Sequence, residues 1–311
     1  MKRSVALLLL AAACSSAAPA APAAPAAPSP AAPAEKPGRA ERLQIGDFEA
    51  YALEDGHLVV PNDGKLLGFG RPPSEIADVL AAAGLPRDTI RLDIQCLLVK
   101  MGDRVLLFDA GMGAAADVAG VDAGRLPQSL ARAGVPPAAV TDIFISHAHS
   151  DHVGGLVTKA GALAFPAATI HMSAPEWAEL QTYTDEESKR FIAAVAPKVV
   201  PFEGDSRLLP LVRAVPMHGH TRGHSSYWIG PEHDPVFYLG DLAHHFVISV
   251  QRPAWSIQVD ANRPAAEAIR QLMLETLVAE RPRVFAPHFP FPGVGYIAAA
   301  GPAFAWRPGT R

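Results

Sequence analysis

The chain has 311 residues, with 27 lysines and arginines against 31 aspartates and glutamates, a formal net charge of −4. An acidic balance argues against a nucleic-acid substrate, which favours a basic face. Of its 2 cysteines, Cys14 lies in an apolar leader and Cys96 in an apolar run, so the body of the chain has no internal disulfide.

The N-terminus reads as an address. Lys2 and Arg3 precede Val5 to Ala13, an apolar run too short to span a bilayer. Ala11-Ala12-Ala13 directly before Cys14 resembles a bacterial lipobox. The expectation is a signal peptide over residues 1–14 with Cys14 lipidated; cleavage further into the Ala-rich stretch is the alternative. Residues 15–38 are almost only Ala and Pro, a tether that cannot bury enough surface to fold. Residues 39–311 form the folded body. Taking Lys2 and Arg3 from the 27 basic residues leaves 25 against 31 acidic ones, a balance of −6. The implied location is the bacterial periplasm or outer membrane, with a lipid anchor as the membrane contact.

Leu43 to Leu53 alternates as a strand, closed by a turn at Glu54-Asp55-Gly56. Ile94 to Val99 and Val105 to Phe108, joined by Met101-Gly102-Asp103, read as a β-hairpin. A glycine-rich loop, Asp109-Ala110-Gly111-Met112-Gly113, follows. Leu126 to Ala133 is a helix stopped by Gly134. Val140 to Ile145 is a short strand. Pro175 to Tyr183 and Glu186 to Val195 are helical. Val212 to Val215, Ser226 to Ile229 and Val236 to Leu239 are strands. Pro264 to Ala279 is a helix with proline in its first turn, and Arg283 to Ala286 is a last strand. Alternating strands and helices, with polar loops at strand ends, imply stacked α/β layers.

The segment carrying most information is Ser146-His147-Ala148-His149-Ser150-Asp151-His152-Val153-Gly154-Gly155. Histidines two apart at a strand end can point the same way, and Asp151 and His152 must then point elsewhere. One segment can therefore serve two neighbouring sites, with imidazole and carboxylate donors that suit divalent ions. Gly219-His220-Thr221-Arg222-Gly223-His224, Gly240-Asp241 and Pro287-His288 each follow a β-run as well. Four strand ends delivering metal-capable residues are not explained by packing. Gly154 and Gly155 are expected to allow a turn into a helix whose N-terminus faces the site. Ser146 and Ser150 are loop residues, and His57, His171, His218 and His233 are structural or exposed. His244 and His245 either line the pocket or sit in a solvated loop.

The ordered set His-x-His-x-Asp-His, Gly-His, Gly-Asp and Pro-His, with Asp109-x-Gly111 upstream, resembles the metallo-β-lactamase superfamily over nearly all of residues 43 to 300. Pro287-His288-Phe289-Pro290-Phe291-Pro292-Gly293 and Gly219-His220-Thr221-x-Gly-His224 look most like methyl parathion hydrolase and its quorum-quenching lactonase relatives. The resemblance implies an αβ/βα sandwich, two mixed β-sheets flanked by helices. It also implies two divalent ions, zinc first, with manganese, iron or cobalt as alternatives. One ion would be held by His147, His149 and His220, the other by Asp151, His152 and His288, with Asp241 bridging. His224 and Asp109 would support these donors from behind.

A hydroxide bridging two ions would be the nucleophile, and Asp151 would both hold metal and orient it. Trp177, Phe289 and Phe291 are candidate apolar walls for a small-molecule ester, lactone or phosphotriester. Trp177 and Phe289 fit a core role equally. A homodimer is compatible with the pattern. A periplasmic β-lactamase is the rival enzyme, but Asp241 stands where such enzymes often have cysteine. A non-catalytic metal-binding lipoprotein is the rival from another class, and it would be expected to have lost ligands.

Overall fold

The computed structural model describes residues 37–116 and 121–309. The expected signal peptide and all but the last two residues of the expected tether lie outside the described residues.

Two sheets face each other. The first begins with β1 (Ala40–Ile45), β2 (Phe48–Pro61), β3 (Thr89–Met101) and β4 (Arg104–Phe108), joined in antiparallel fashion. The short β5 (Val121–Asp122) pairs with β2. The sheet then continues in parallel through β6 (Asp142–Phe144), β7 (Thr169–Ser173) and β8 (Val199–Phe202). The second sheet contains β9 (Ser206–Leu209), β10 (Val212–Pro216), β11 (Ser225–Ile229), β12 (Val236–Tyr238), β13 (Arg283–Phe285), β14 (Val294–Ala300) and β15 (Ala303–Pro308). Only its β12–β13 pair is parallel.

The apolar run of β3 explains the layering. A strand buried on both faces is continuously apolar rather than alternating. Leu97 and Val99 point into the core between the sheets, where they meet Phe108, Phe144, Tyr227, Tyr238 and Phe285. Cys96 and Leu98 point the other way, toward helices α2 (Leu126–Arg132), α4 (Ala174–Leu180) and α5 (Glu186–Val195). On the far face of the second sheet, Met273, Leu274 and Leu277 of α7 (Arg263–Glu280) cover Phe237 and Val284. Helices α1 (Pro73–Ala82) and α6 (Ile248–Gln251) close a smaller core around Trp255. The order helix, sheet, sheet, helix is the sandwich expected from the resemblance. Among the described residues, no helix is long and apolar enough to cross a membrane.

One turn was placed wrongly from sequence. Leu43 to Leu53 is not a single strand closed at Glu54-Asp55-Gly56. The chain reverses at Gly46, which has φ 55°, and β2 runs straight through Glu54 to Gly56 with a bulge there. Asp55 is no turn residue. Its buried carboxylate accepts backbone N–H bonds from Met112 (2.9 Å), Gly124 (3.2 Å) and Leu126 (2.9 Å), so it holds the glycine-rich loop from beneath.

Gly154 and Gly155 also do something different from the expectation. The short helix α3 (Ser150–Val153) has already begun at His149, so Asp151 and His152 lie within it. The glycines serve close approach: a Cβ at Gly154 would lie 2.2 Å from the Met112 carbonyl oxygen, and one at Gly155 would lie 2.0 Å from that of Ala110. The loops after β4 and β6 are thereby pressed together.

Candidate metal centre

Four strand ends meet at one place. The loop after β6 brings His147 and His149, and α3 brings Asp151 and His152. His220 follows β10, Asp241 follows β12 and His288 follows β13. Two groups of donors result, each able to hold a metal ion: His147, His149, His220 and Asp241, and Asp151, His152 and His288.

In the first group His220 Nε2 lies 3.1 Å from His147 Nε2 and 3.0 Å from His149 Nδ1. In the second, His152 Nε2 lies 3.2 Å from His288 Nε2. Nitrogens bound to one tetrahedral ion at about 2.0–2.1 Å stand about 3.3–3.4 Å apart, close to these separations. Asp241 lies between the groups. Its Oδ2 is 3.3 Å from His220 Nε2 and 3.6 Å from His147 Nε2, while Oδ1 is 3.0 Å from His288 Nε2 and 3.1 Å from His152 Nε2. Oδ1 is buried, yet it has no hydrogen-bond partner. Lone pairs that converge without N–H donors between them fit a shared cation.

The outer nitrogens support the same conclusion. A metal-binding imidazole normally donates its second N–H to a carboxylate or carbonyl, which fixes the tautomer. His152 Nδ1 faces Asp109 Oδ2 at 2.7 Å, His220 Nδ1 faces Asp260 Oδ1 at 2.9 Å, and His288 Nδ1 faces the Asp93 carbonyl at 2.8 Å. His147 Nδ1 lies 3.1 Å from Ser146 Oγ, whose hydroxyl donates to Asp109 Oδ2 at 2.7 Å. Each of these four rings thus turns its Nε2 lone pair inward.

Asp109 is central to this arrangement and contributes no donor to either group. Its φ of 58° is in the left-handed region, uncommon for a residue with a Cβ. Bonds from the Ser146 amide (2.7 Å) and the Tyr238 hydroxyl (2.8 Å), in addition to Ser146 Oγ and His152, hold it there. Glu176 performs a similar task across two loops. It accepts from the Ala148 amide at 2.8 Å, the Thr221 hydroxyl at 2.7 Å and the Gly223 amide at 2.9 Å.

Charge in the cluster is finely opposed. Burial resists ionisation of Asp241, but the nearby His152 and His288 outweigh it and hold the carboxyl well below its usual range. Burial also resists protonation of His220, yet Asp241 and Asp260 raise it to about 9. His147 is driven the other way, by burial and by His152. The carboxylates therefore draw positive charge into the site, which a divalent cation would supply in place of protons.

His224 stays outside both groups. Its Nδ1–H donates to the Met217 carbonyl at 3.0 Å, and Nε2 accepts the Asp241 amide at 2.9 Å. Burial and the nearby His220 lower it to about 3, so it is a neutral strut beneath Asp241. Of the two histidines left open by the sequence, neither is in a solvated loop. His244 Nε2 lies 3.0 Å from Asp241 Oδ2, its ring parallels that of His288 at 5.7 Å, and neither ring nitrogen makes a hydrogen bond. His245 turns away: Nδ1 accepts the Val247 and Ile248 amides at the start of α6.

The expected aromatic walls are placed mainly in packing. Phe289 is 0% exposed and meets Trp306 edge-on at 4.9 Å, so it belongs to the core of the second sheet and not to an open pocket. Trp177 is half-buried against the core of the first sheet. Phe291 is half-buried against the core between the sheets and lies under the Arg39 guanidinium at 4.2 Å. Sequence reasoning missed Asp93, Glu176, Asp260 and Arg270. None stands in a motif, and each reaches the site only through tertiary contacts.

Known proteins share this fold. A solved structure of AidC, a dizinc quorum-quenching lactonase in complex with its product, aligns with a TM-score of 0.81 at 29% identity, covering 88% of this chain and 98% of that one. The hydrolase AbOPH aligns at 0.76 with 24% identity, covering 88% and 98%, a likeness of fold. Probable metallo-hydrolases of Mycobacterium bovis and Mycobacterium tuberculosis are 27% identical over 190 residues, 50% of this chain. The match spans 58% of the length of those relatives. The family model described as the metallo-beta-lactamase superfamily matches residues 90–279, and the chain belongs to that superfamily.

Proposed function

We propose that this chain is a dinuclear metal-dependent hydrolase acting on a lactone, ester or phosphotriester, with a lactone first in order. The observation that carries the reading is the placement of Asp241, whose two oxygens face two separate sets of inward-turned donors. The likeness to a dizinc lactonase over almost its whole length supports the order of substrates.

His147, His149 and His220 would hold one ion, Asp151, His152 and His288 the other, and Asp241 both. When bound, two such ions polarise a carbonyl or phosphoryl oxygen and bring water to ionise near neutral pH. Zinc suits the nitrogen and oxygen donor set; manganese, iron and cobalt use the same donors. Asp151 is the more open carboxylate, its side chain 18% exposed against 4% for Asp241. It would orient an incoming water. Burial keeps His244 neutral. An unbonded N–H of that ring is available to a substrate oxygen.

Export and lipidation at Cys14 are part of the same proposal, supported by the leader Lys2 to Cys14. Mass spectrometry of the membrane fraction tests it: a diacylated Cys14 is expected, and an unmodified mature chain starting beyond Cys14 overturns it.

The test of activity is metal content together with turnover on an aryl phosphotriester, an acyl-homoserine lactone, an aryl ester and a cephalosporin. About two ions per chain with chelator-sensitive lactone, ester or phosphotriester hydrolysis is the expected result. Cephalosporin cleavage alone moves the chain to the β-lactamases. No metal and no turnover refutes the enzyme reading.

A further inference from the structure

Helix α7 gives no donor to either group, yet one of its side chains ties together two loops that do. Arg270 is buried on the helix face that also carries Ala266, Met273 and Leu274. Its Nε–H donates to the Leu242 carbonyl at 2.7 Å. Its Nη1 group donates to the Pro253 carbonyl at 2.8 Å and to that of Trp255 at 3.3 Å. Its Nη2 group donates to Asp260 Oδ2 at 3.0 Å, and the other oxygen of Asp260 accepts His220 Nδ1–H at 2.9 Å. The Arg270 and Asp260 side chains are 1% and 0% exposed.

A buried ion pair is weak evidence of a stabilising role, since apolar residues of similar volume often serve as well. The ends of this network are what single it out. Leu242 directly follows Asp241, and His220 is one of the three histidines grouped with Asp241. One guanidinium therefore grips the Asp241 loop by its backbone and the His220 ring through a carboxylate. Two further bonds, from the Ala261 amide to the His220 carbonyl and from the Asn262 amide to the Gly219 carbonyl, both 2.9 Å, fix the same loop to the start of α7.

We propose that Arg270 and Asp260 are a positioning pair that sets the His220–Asp241 separation, holds His220 with its proton on Nδ1, and so determines how tightly the first group binds its ion. The proposal rests on reading the two groups as metal sites. Neither residue touches metal or substrate.

The test titrates metal-free protein with Co2+, following visible absorption, and then competes with Zn2+. The main variant is the double substitution Asp260→Leu/Arg270→Met, which leaves no unpaired charge behind. Wild type is expected to take up about two ions. The folded double variant is expected to bind one of them about 10- to 100-fold more weakly, with an altered Co2+ spectrum. A folded double variant with both affinities and the spectrum unchanged reduces the pair to a packing element and overturns the proposal. Should that variant not fold, Asp260→Asn decides by the same criterion, with a loss of about 10-fold expected and none refuting. Wild type that binds no ion overturns the metal reading itself, which separates the two failures.

Discussion

Replacing His224 by leucine distinguishes a strut from a ligand. The ring makes two bonds to buried backbone groups, the Met217 carbonyl at 3.0 Å and the Asp241 amide at 2.9 Å. Leucine leaves both without a partner. An unsatisfied buried polar group costs about 1–3 kcal/mol, so the pair costs about 2–6 kcal/mol. Total stabilities are about 5–15 kcal/mol, so the loss is readily measured. Because metal binding itself adds apparent stability, the denaturant melt is done with chelator present. Metal content is then read at saturating zinc. The expected result is a metal-free protein destabilised by about 2–6 kcal/mol that still takes up the wild-type number of ions. A variant of unchanged metal-free stability that cannot take up one ion refutes the reasoning, because His224 would then be a donor and not a strut. Gly240 supports the close fit: a Cβ there would lie 2.5 Å from His224 Nε2.

Asp241→Ala removes the carboxylate that lies between the two groups; loss of at least one ion and a fall of at least about 100-fold in kcat/KM are expected, measured by elemental analysis and lactone turnover. Gly155→Ala should destabilise the fold by about 3 kcal/mol or more, since the new methyl meets the Ala110 carbonyl; a denaturant melt within about 0.5 kcal/mol of wild type would refute this. Burial lowers His245 from 6.5 to about 4. Its unfolded form therefore takes up a proton that the folded form refuses. Stability from this group is full well above pH 6.5 and falls as pH drops toward 4, by about 1.6 kcal/mol between pH 6.5 and 5. His245→Asn, which keeps an acceptor but does not titrate, should lose that part of the pH dependence in melts at the two pH values; an unchanged slope refutes it.

The sequence by itself determined much of the site, because its residues lie in short segments at strand ends. His147, His149, Asp151 and His152 fall within six residues, and Gly-His, Gly-Asp and Pro-His follow in the order of the superfamily. The layering was legible too, since β3 is apolar on both faces and α2, α5 and α7 begin and end near their predicted bounds. The turn at Gly46 was missed because Glu54-Asp55-Gly56 is the stronger local turn signal. Only the distant Met112, Gly124 and Leu126 amides show that Asp55 is buried. Phe289 is apolar either way, and only the neighbouring Trp306 ring places it in the core. The supports of the site were hidden for the same reason. Asp93, Glu176, Asp260 and Arg270 are single polar residues with no spacing to mark them, and they act through bonds to side chains or loops far along the chain. A donor set can be read from local order. What orients the donors is decided by which surfaces the folded sheets press together, because hydrogen bonds between distant segments leave no periodic trace.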